Sequence, residues 1–130
     1  MIRIEHIAIW TDDVERLKAF YTTFFAAQAG PKYTNPNTQF QSYFLTFSSG
    51  ARLELMQRPG IPASRNDPQA QFTGYIHLAY STGSIEEVDA LTGRLRAAGY
   101  PVVDGPRWTG DGYYESSVFD PDGNRIEITV

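Results

Sequence analysis

Ala51-Arg52-Leu53-Glu54-Leu55-Met56 and Asn124-Arg125-Ile126-Glu127-Ile128-Thr129 read as one strand written twice. Each places a glutamate between two aliphatic residues and an arginine two positions earlier. Successive side chains of a strand point to opposite faces, so the aliphatics share one face and the arginine and glutamate share the other. Working outward, each copy has a partner stretch upstream. Glu5-His6-Ile7-Ala8-Ile9-Trp10 sets His6 48 positions before Glu54, and Ile76-His77-Leu78-Ala79-Tyr80 sets His77 50 positions before Glu127. The chain has only 2 histidines, and both sit at the matched position of an internal repeat. With two copies, this is a duplicated supersecondary unit and not a solenoid.

The intervening residues give both halves the same plan. In the first, Ile2 to Trp10 reads as a strand, and Asp12 or Asp13 then caps a helix carrying Val14, Leu17, Phe20, Tyr21 and Phe24 at helical spacing, ended by Gly30-Pro31. Lys32 to Thr34, Phe40 to Phe47 and Ala51 to Gln57 read as three further strands. Residues 58–73, with Pro59, Gly60, Pro62, Asn66, Asp67 and Pro68, read as a crossover. The second half repeats the order. The strand Tyr75 to Ser81 leads to a helix that Ser84 and Glu87 begin as a capping box and Gly99 ends. A short strand at Pro101 to Val103 precedes a loop at Gly105 to Gly112. The strands Tyr113 to Phe119 and Asn124 to Val130 then flank an Asp120-Pro121-Asp122-Gly123 turn. The expected fold class is α+β: one domain of tandem βαβββ modules, about 1–57 and 74–130, forming a curved, barrel-like mixed sheet with the helices outside.

Composition bounds the function. A chain of 130 residues fits one ordinary domain, and 42% hydrophobic with 20% charged residues is the balance of a soluble globular protein. A net charge of −4 without a basic run argues against nucleic acid or an anionic membrane as partner. There is no cysteine, hence no disulfide or thiolate chemistry, and no apolar leader or bilayer-length segment is visible. The default expectation is a cytoplasmic protein.

If the aliphatics of each glutamate strand face the helices, Glu54 and Glu127 face the concave side of the sheet, and alternation sends His6 and His77 the same way. Two imidazoles and two carboxylates suit one divalent metal ion, Zn or Ni foremost, with Co, Mn or Fe as further candidates. Such a set leaves positions open for a substrate with two neighbouring oxygens. The plainer reading of each residue alone is a solvent-facing glutamate or a hydrogen-bonded structural histidine, with Arg52 and Arg125 making surface ion pairs. The joint register of all four residues favours the metal set.

The two βαβββ halves, the paired His and Glu strands and the closing Phe119-Asp120-Pro121-Asp122-Gly123-Asn124-Arg125-Ile126-Glu127-Ile128 resemble the vicinal oxygen chelate superfamily, the group of glyoxalase I, bleomycin-resistance proteins and extradiol dioxygenases. Phe20-Tyr21 near the end of the first helix also fits, and the resemblance spans essentially the whole chain. It implies metal ligands at His6, Glu54, His77 and Glu127, the pattern of glyoxalase I, and a homodimer with shared sites. It further implies a lyase or isomerase acting on a small substrate with vicinal oxygens, such as a hemithioacetal, through a metal-stabilised enediolate. Glu127 is then the main catalytic base and Glu54 its symmetric counterpart.

The chain departs from glyoxalase I where glutathione is held. Trp10 stands where those enzymes carry an arginine, and Gln57-Arg58-Pro59-Gly60 replaces an Asn-Trp-Gly run. Arg58 or Arg107 are the available anion partners. The glycine-rich stretch from Gly105 to Tyr114, with Trp108 and Tyr113, is a candidate pocket rim or a plain hairpin connection. Two alternatives remain open. In a non-haem Fe(II) dioxygenase, His6, His77 and Glu127 form the two-His-one-carboxylate triad, but Glu54 would occupy a position oxygen needs. A metal-free module would bind a drug-like ligand between aromatics such as Trp10, Tyr43, Trp108 and Tyr113, which leaves the four ligands unexplained.

Overall fold

The structure, a computed structural model, describes residues 1–130. The chain divides into two compact units, Met1–Ser64 and Arg65–Val130, and the division falls inside the proline-dense crossover. The first module runs β1 (His6–Trp10), α1 (Val14–Phe24), β2 (Gln28–Ala29), β3 (Tyr33–Thr34), β4 (Gln41–Thr46) and β5 (Arg52–Gln57). The second runs β6 (His77–Ser81), α2 (Ile85–Ala97), β7 (Val102–Trp108), β8 (Tyr114–Phe119) and β9 (Arg125–Thr129). The α+β class and the tandem βαβββ plan follow the sequence reading. Each module holds one open mixed sheet, ordered β1-β5-β4-β2 in the first, with β3 also on β4, and β6-β9-β8-β7 in the second. The histidine strand pairs in parallel with the glutamate strand, with Ala8 opposite Glu54 in one module and Ala79 opposite Glu127 in the other.

One face of each sheet is sealed by its helix. In the first module Val14, Leu17, Phe20 and Tyr21 of α1 are buried with Tyr43, Leu45, Leu53 and Leu55 of the sheet. In the second, Val88, Leu91 and Leu95 of α2 are buried with Val118, Ile126 and Ile128. Burying each of these aliphatics contributes roughly 1.5–3 kcal/mol, so the face the helix covers is fixed, and with it the face left open. Tyr43, a candidate ligand-contacting aromatic, belongs to the sealed face: its hydroxyl donates to Glu15 of α1 at 2.8 Å. At the equivalent register position of the second module, Ser116 hydrogen-bonds Thr92 of α2 at 2.7 Å.

Helix starts follow the expected caps. Asp13 accepts from the Arg16 N–H, and Ser84 accepts from the Glu87 N–H. The Gln57 side chain ties β5 to the start of α1, accepting from the Val14 N–H at 2.8 Å. The Asp120 carboxylate organises the turn before β9, accepting from the backbone N–H groups of Asp122 and Asn124, each at 2.9 Å, and from the Asn124 side chain at 2.8 Å. Gly123 there has φ of +84°, a conformation glycine adopts without cost.

Several boundaries differ from expectation. The strands predicted from Ile2 and Tyr75 begin at His6 and His77. Helix α1 ends at Phe24, well before Gly30-Pro31, because the chain turns at Ala26 with φ of +53° and then forms β2. The predicted loop from Gly105 is in fact a continuation of β7 to Trp108. Gly105, with φ of +74°, accommodates a register shift there that a regular alternating pattern does not announce. No helix is long and apolar enough to cross a membrane.

Candidate functional site

The open face of each sheet carries one His–Glu pair, delivered by the parallel register. In the first module His6 Nε2 lies 3.7 Å from Glu54 Oε1. In the second, His77 Nε2 lies 3.3 Å from Glu127 Oε2. Side-chain exposures of 40% for His6 and 35% for His77 against 15% and 21% for the glutamates leave the nitrogens accessible and the carboxylates recessed.

The donors can be tested against a metal. A nitrogen and an oxygen each about 2.1 Å from one ion lie about 3.0 Å apart at right angles and about 3.4 Å apart at the tetrahedral angle. The second pair fits that range as it stands, and the first is slightly wider. Neither module by itself brings three His, Asp or Glu side chains to one metal position. What each supplies is one imidazole nitrogen and one carboxylate.

The surroundings of the pairs differ. In the first module Phe44 lies directly across from Glu54 on β4, edge-on to His6 with ring centroids 5.5 Å apart, and the Arg52 guanidinium lies 4.1 Å above the same ring. The Glu5 carboxylate hydrogen-bonds His6 Nδ1 and also pairs with Arg52. These contacts, His6 first, hold the Glu5 carboxyl below the usual range. A carboxylate on Nδ1 orients the ring so that Nε2 faces outward, as ligand histidines are commonly held. Arg52 therefore pairs with Glu5 and not with the glutamate two residues on.

In the second module Ser117 occupies the place of Phe44, directly across from Glu127. Glu115 of β8, opposite Thr129, lies on the same face, one register step from Glu127. Burial raises the Glu115 carboxyl above its ordinary value; the hydrogen bond and charge of Glu127 and the charge of Asp111 add to this, and His77 opposes it. The sequence reading missed Glu115. Its signal was the Asp120–Gly123 turn, which sets Glu115 opposite Thr129 on the face that Glu127 shares. Glu5 had no such signal, since alternation alone would send it away from His6. Arg125, on the same face as Glu127, donates to the Pro68 carbonyl at 3.0 Å and lies 5.5 Å from the Phe119 ring centroid.

The remaining candidate pocket residues fall in two groups. Trp10 shares the His6 face, 40% exposed, with Arg58 5.2 Å from its ring centroid and Phe40 edge-on at 6.0 Å. Arg107 is held by Asp104 at 2.7 Å, Trp108 packs on Tyr114 at 5.4 Å, and Tyr113 lies exposed in the turn after β7. On each open face one imidazole nitrogen and one carboxylate oxygen stand side by side.

The profile of the Glyoxalase/Bleomycin resistance protein/Dioxygenase superfamily matches residues 3–128. Comparison with proteins of curated function finds no match. Among solved structures, the trypanothione-dependent glyoxalase I of Leishmania major is 26% identical, with a TM-score of 0.78 over 99% of this chain and 86% of that one. A glyoxalase family protein from Enterococcus faecalis is 25% identical, with a TM-score of 0.76 over 98% of this chain and 96% of that one. Glyoxalase I from Zea mays is 21% identical and shares the fold, with a TM-score of 0.77 over 98% of this chain and 44% of that one.

Proposed function

We propose a metal-dependent lyase, because the chain belongs to the Glyoxalase/Bleomycin resistance protein/Dioxygenase superfamily and repeats a His–Glu pair on the open face of both sheets. That repetition is the observation that carries the reading. His6, Glu54, His77 and Glu127 would hold one divalent ion, Zn or Ni in the first instance. A bound ion supplies positive charge against the neighbouring oxygens of a hemithioacetal or similar small substrate.

The chain's own residues do the rest. Glu127 takes the proton from the substrate carbon and returns it to the adjacent carbon, converting the hemithioacetal to a thioester with no net gain or loss of atoms. Glu54 is the counterpart for the opposite face. Phe44 beside His6 and Trp10 further along the same face supply apolar surface against which a bound substrate would pack. Arg58 and Arg107 are the cations available to an anionic substituent. Trp10 in place of an arginine points to a thiol other than glutathione. The name of the Leishmania relative, which uses trypanothione, supports a lyase whose thiol partner varies.

The test is turnover by protein loaded with Zn, Ni or Co, offered hemithioacetals of methylglyoxal with a panel of thiols. Thioester formation that needs the metal and falls about 10²–10⁴-fold in Glu127→Gln is the expected result. Absence of thioester from every thiol, with metal verifiably bound, would overturn it. The same reading makes the working unit a cytoplasmic homodimer with shared sites, which light scattering on the purified chain checks.

A further inference from the structure

Beyond the His6–Glu54 pair, the strand ends of the first module gather an aromatic cluster with a cation beside it. Trp10 closes β1 opposite Met56, two residues past Glu54, which places it about 7 Å further along the open face. Met56 lies opposite Ser42, and Ser42 opposite Tyr33 of β3, so Trp10 and Tyr33 stand on one face with Met56 and Ser42 between them. Phe40 joins the two, edge-on to Trp10 at 6.0 Å and tilted against Tyr33 at 6.1 Å between ring centroids. Its place is built by the loop before β4. The Asn35 side chain accepts from the N–H groups of Asn37 and Thr38, the Asn35 N–H donates to the Phe40 carbonyl at 2.8 Å, and Gln39 takes a left-handed φ of +59°. A residue other than glycine holds that conformation only where its surroundings require it. The rings are open to ligand, Trp10 being 40% and Tyr33 55% exposed. Arg58, one residue past β5, has its guanidinium 5.2 Å from the Trp10 ring centroid and makes no ion pair or hydrogen bond. Arg52, at the other end of the same strand, is paired with Glu5. The cation at the aromatic end is therefore the unanswered one.

Three rings with a guanidinium at their edge bring together what a planar aromatic acid needs: apolar surface to stack on and a forked donor for a carboxylate. A neutral aliphatic ligand would leave the charge unanswered, and a simple inorganic anion would leave the rings bare. We propose that Trp10, Phe40, Tyr33 and Arg58 form a subsite for a planar aromatic group bearing a carboxylate, with the ring against Trp10 and the carboxylate on Arg58. The second module has no equivalent, since Ser81 stands at the register position of Trp10. In the lyase reading this group is a substituent of the substrate, carried beyond the oxygens that face His6 and Glu54. That assignment rests on the lyase reading; binding at the cluster does not.

The experiment titrates the metal-free, nitrogen-15-labelled chain with 2-naphthoate, its neutral amide and cyclohexanecarboxylate, which separate ring from charge. The readout is the indole N–H resonances of Trp10 and Trp108, told apart with Trp108→Phe. Naphthoate is expected to shift the Trp10 resonance saturably, leave Trp108 in place, and bind about 10-fold or more tighter than either other probe. Arg58→Gln is expected to bring naphthoate to within about threefold of the amide. Phe40→Leu is expected to weaken naphthoate and amide alike by about 3- to 10-fold, with thermal melting verifying the fold of both variants. A Trp10 resonance unmoved by naphthoate, an amide that binds as well as the acid, or parent-like binding in Arg58→Gln overturns the proposal. So does a Trp10 resonance that moves on diluting the protein and not with naphthoate, the sign that a second copy covers the rings. The lyase reading is decided separately: naphthoate binding without turnover by the metal-loaded chain sustains the subsite and ends the lyase, and turnover without naphthoate binding does the reverse.

Discussion

The open faces of the two modules carry the same donors in different company. In the first, the pair His6–Glu54 is flanked by Phe44, Arg52 and, further along, Trp10. In the second, the pair His77–Glu127 faces Ser117, Glu115 and Thr129, with Arg107 and Asp104 beyond. The first module holds its histidine through Glu5 on Nδ1, while the second sets a further carboxyl, Glu115, on the face of its glutamate. Duplication of the βαβββ unit fixed where the donors stand, since register and the sealed aliphatic face leave them no other direction. The residues directly across differ, Phe44 facing Glu54 and Ser117 facing Glu127. A symmetric scaffold thereby offers two inequivalent carboxylates, the condition under which one can act as base while the other stays a ligand.

The comparison can be broken most visibly at those glutamates. Glu127→Gln is expected to lower kcat by about 10²–10⁴-fold and Glu54→Gln by clearly less, measured on the same hemithioacetal. Equal losses would mean the modules are functionally equivalent. A second contrast lies in the backbone. Gly105→Ala combines a left-handed conformation, costing about 1–2 kcal/mol, with overpacking against β8, costing about 1–3 kcal/mol. Gly50→Ala, at φ of +84° in open space, carries only the first of these, and denaturant unfolding separates the two.

The tethers between sheet and helix give the smaller effects. Thr92→Val leaves the buried Ser116 hydroxyl without its partner and is expected to cost about 1–3 kcal/mol at any pH, since neither hydroxyl titrates in the acid range. Tyr43→Phe at the matching position removes a bond to the more exposed Glu15 and is expected to cost less than about 1 kcal/mol. Lys32 first, and then Tyr43, hold the Glu15 carboxyl below its ordinary value. A lowered carboxylate stabilises the folded chain above its unfolded value and loses that contribution as pH falls through the folded one. The penalty of Tyr43→Phe should therefore shrink in acid, while that of Thr92→Val does not; melting curves across the acid range would distinguish them.

The sequence made the skeleton legible because two periodic signals agreed. Leu53 and Leu55, and Ile126 and Ile128, are buried as alternation requires, which sends Glu54 and Glu127 to the open face. Asp120-Pro121-Asp122-Gly123 encoded its turn through side-chain hydrogen bonds that are local in sequence. Less legible were features set by contacts across strands. The continuation of β7 through Gly105 depends on a bulge against β8, and Tyr43 is assigned to the sealed face by its bond to Glu15. Glu115 was within reach of hairpin register, which places it opposite Thr129 on the face of Glu127. The roles of Trp108 and Tyr113 stay at the level of exposed aromatics beside β8, since nothing in their own spacing ties them to the donors.

The most direct test of the account is metal content. Protein purified without chelator would be analysed for bound elements beside His6→Ala and His77→Ala, one variant from each module. If His6 and His77 ligate one ion as proposed, bound Zn, Ni or another divalent ion is expected in the parent and is expected to be lost in both variants. A parent chain that neither carries nor takes up a divalent ion, or an ion retained in full by either variant, would contradict it.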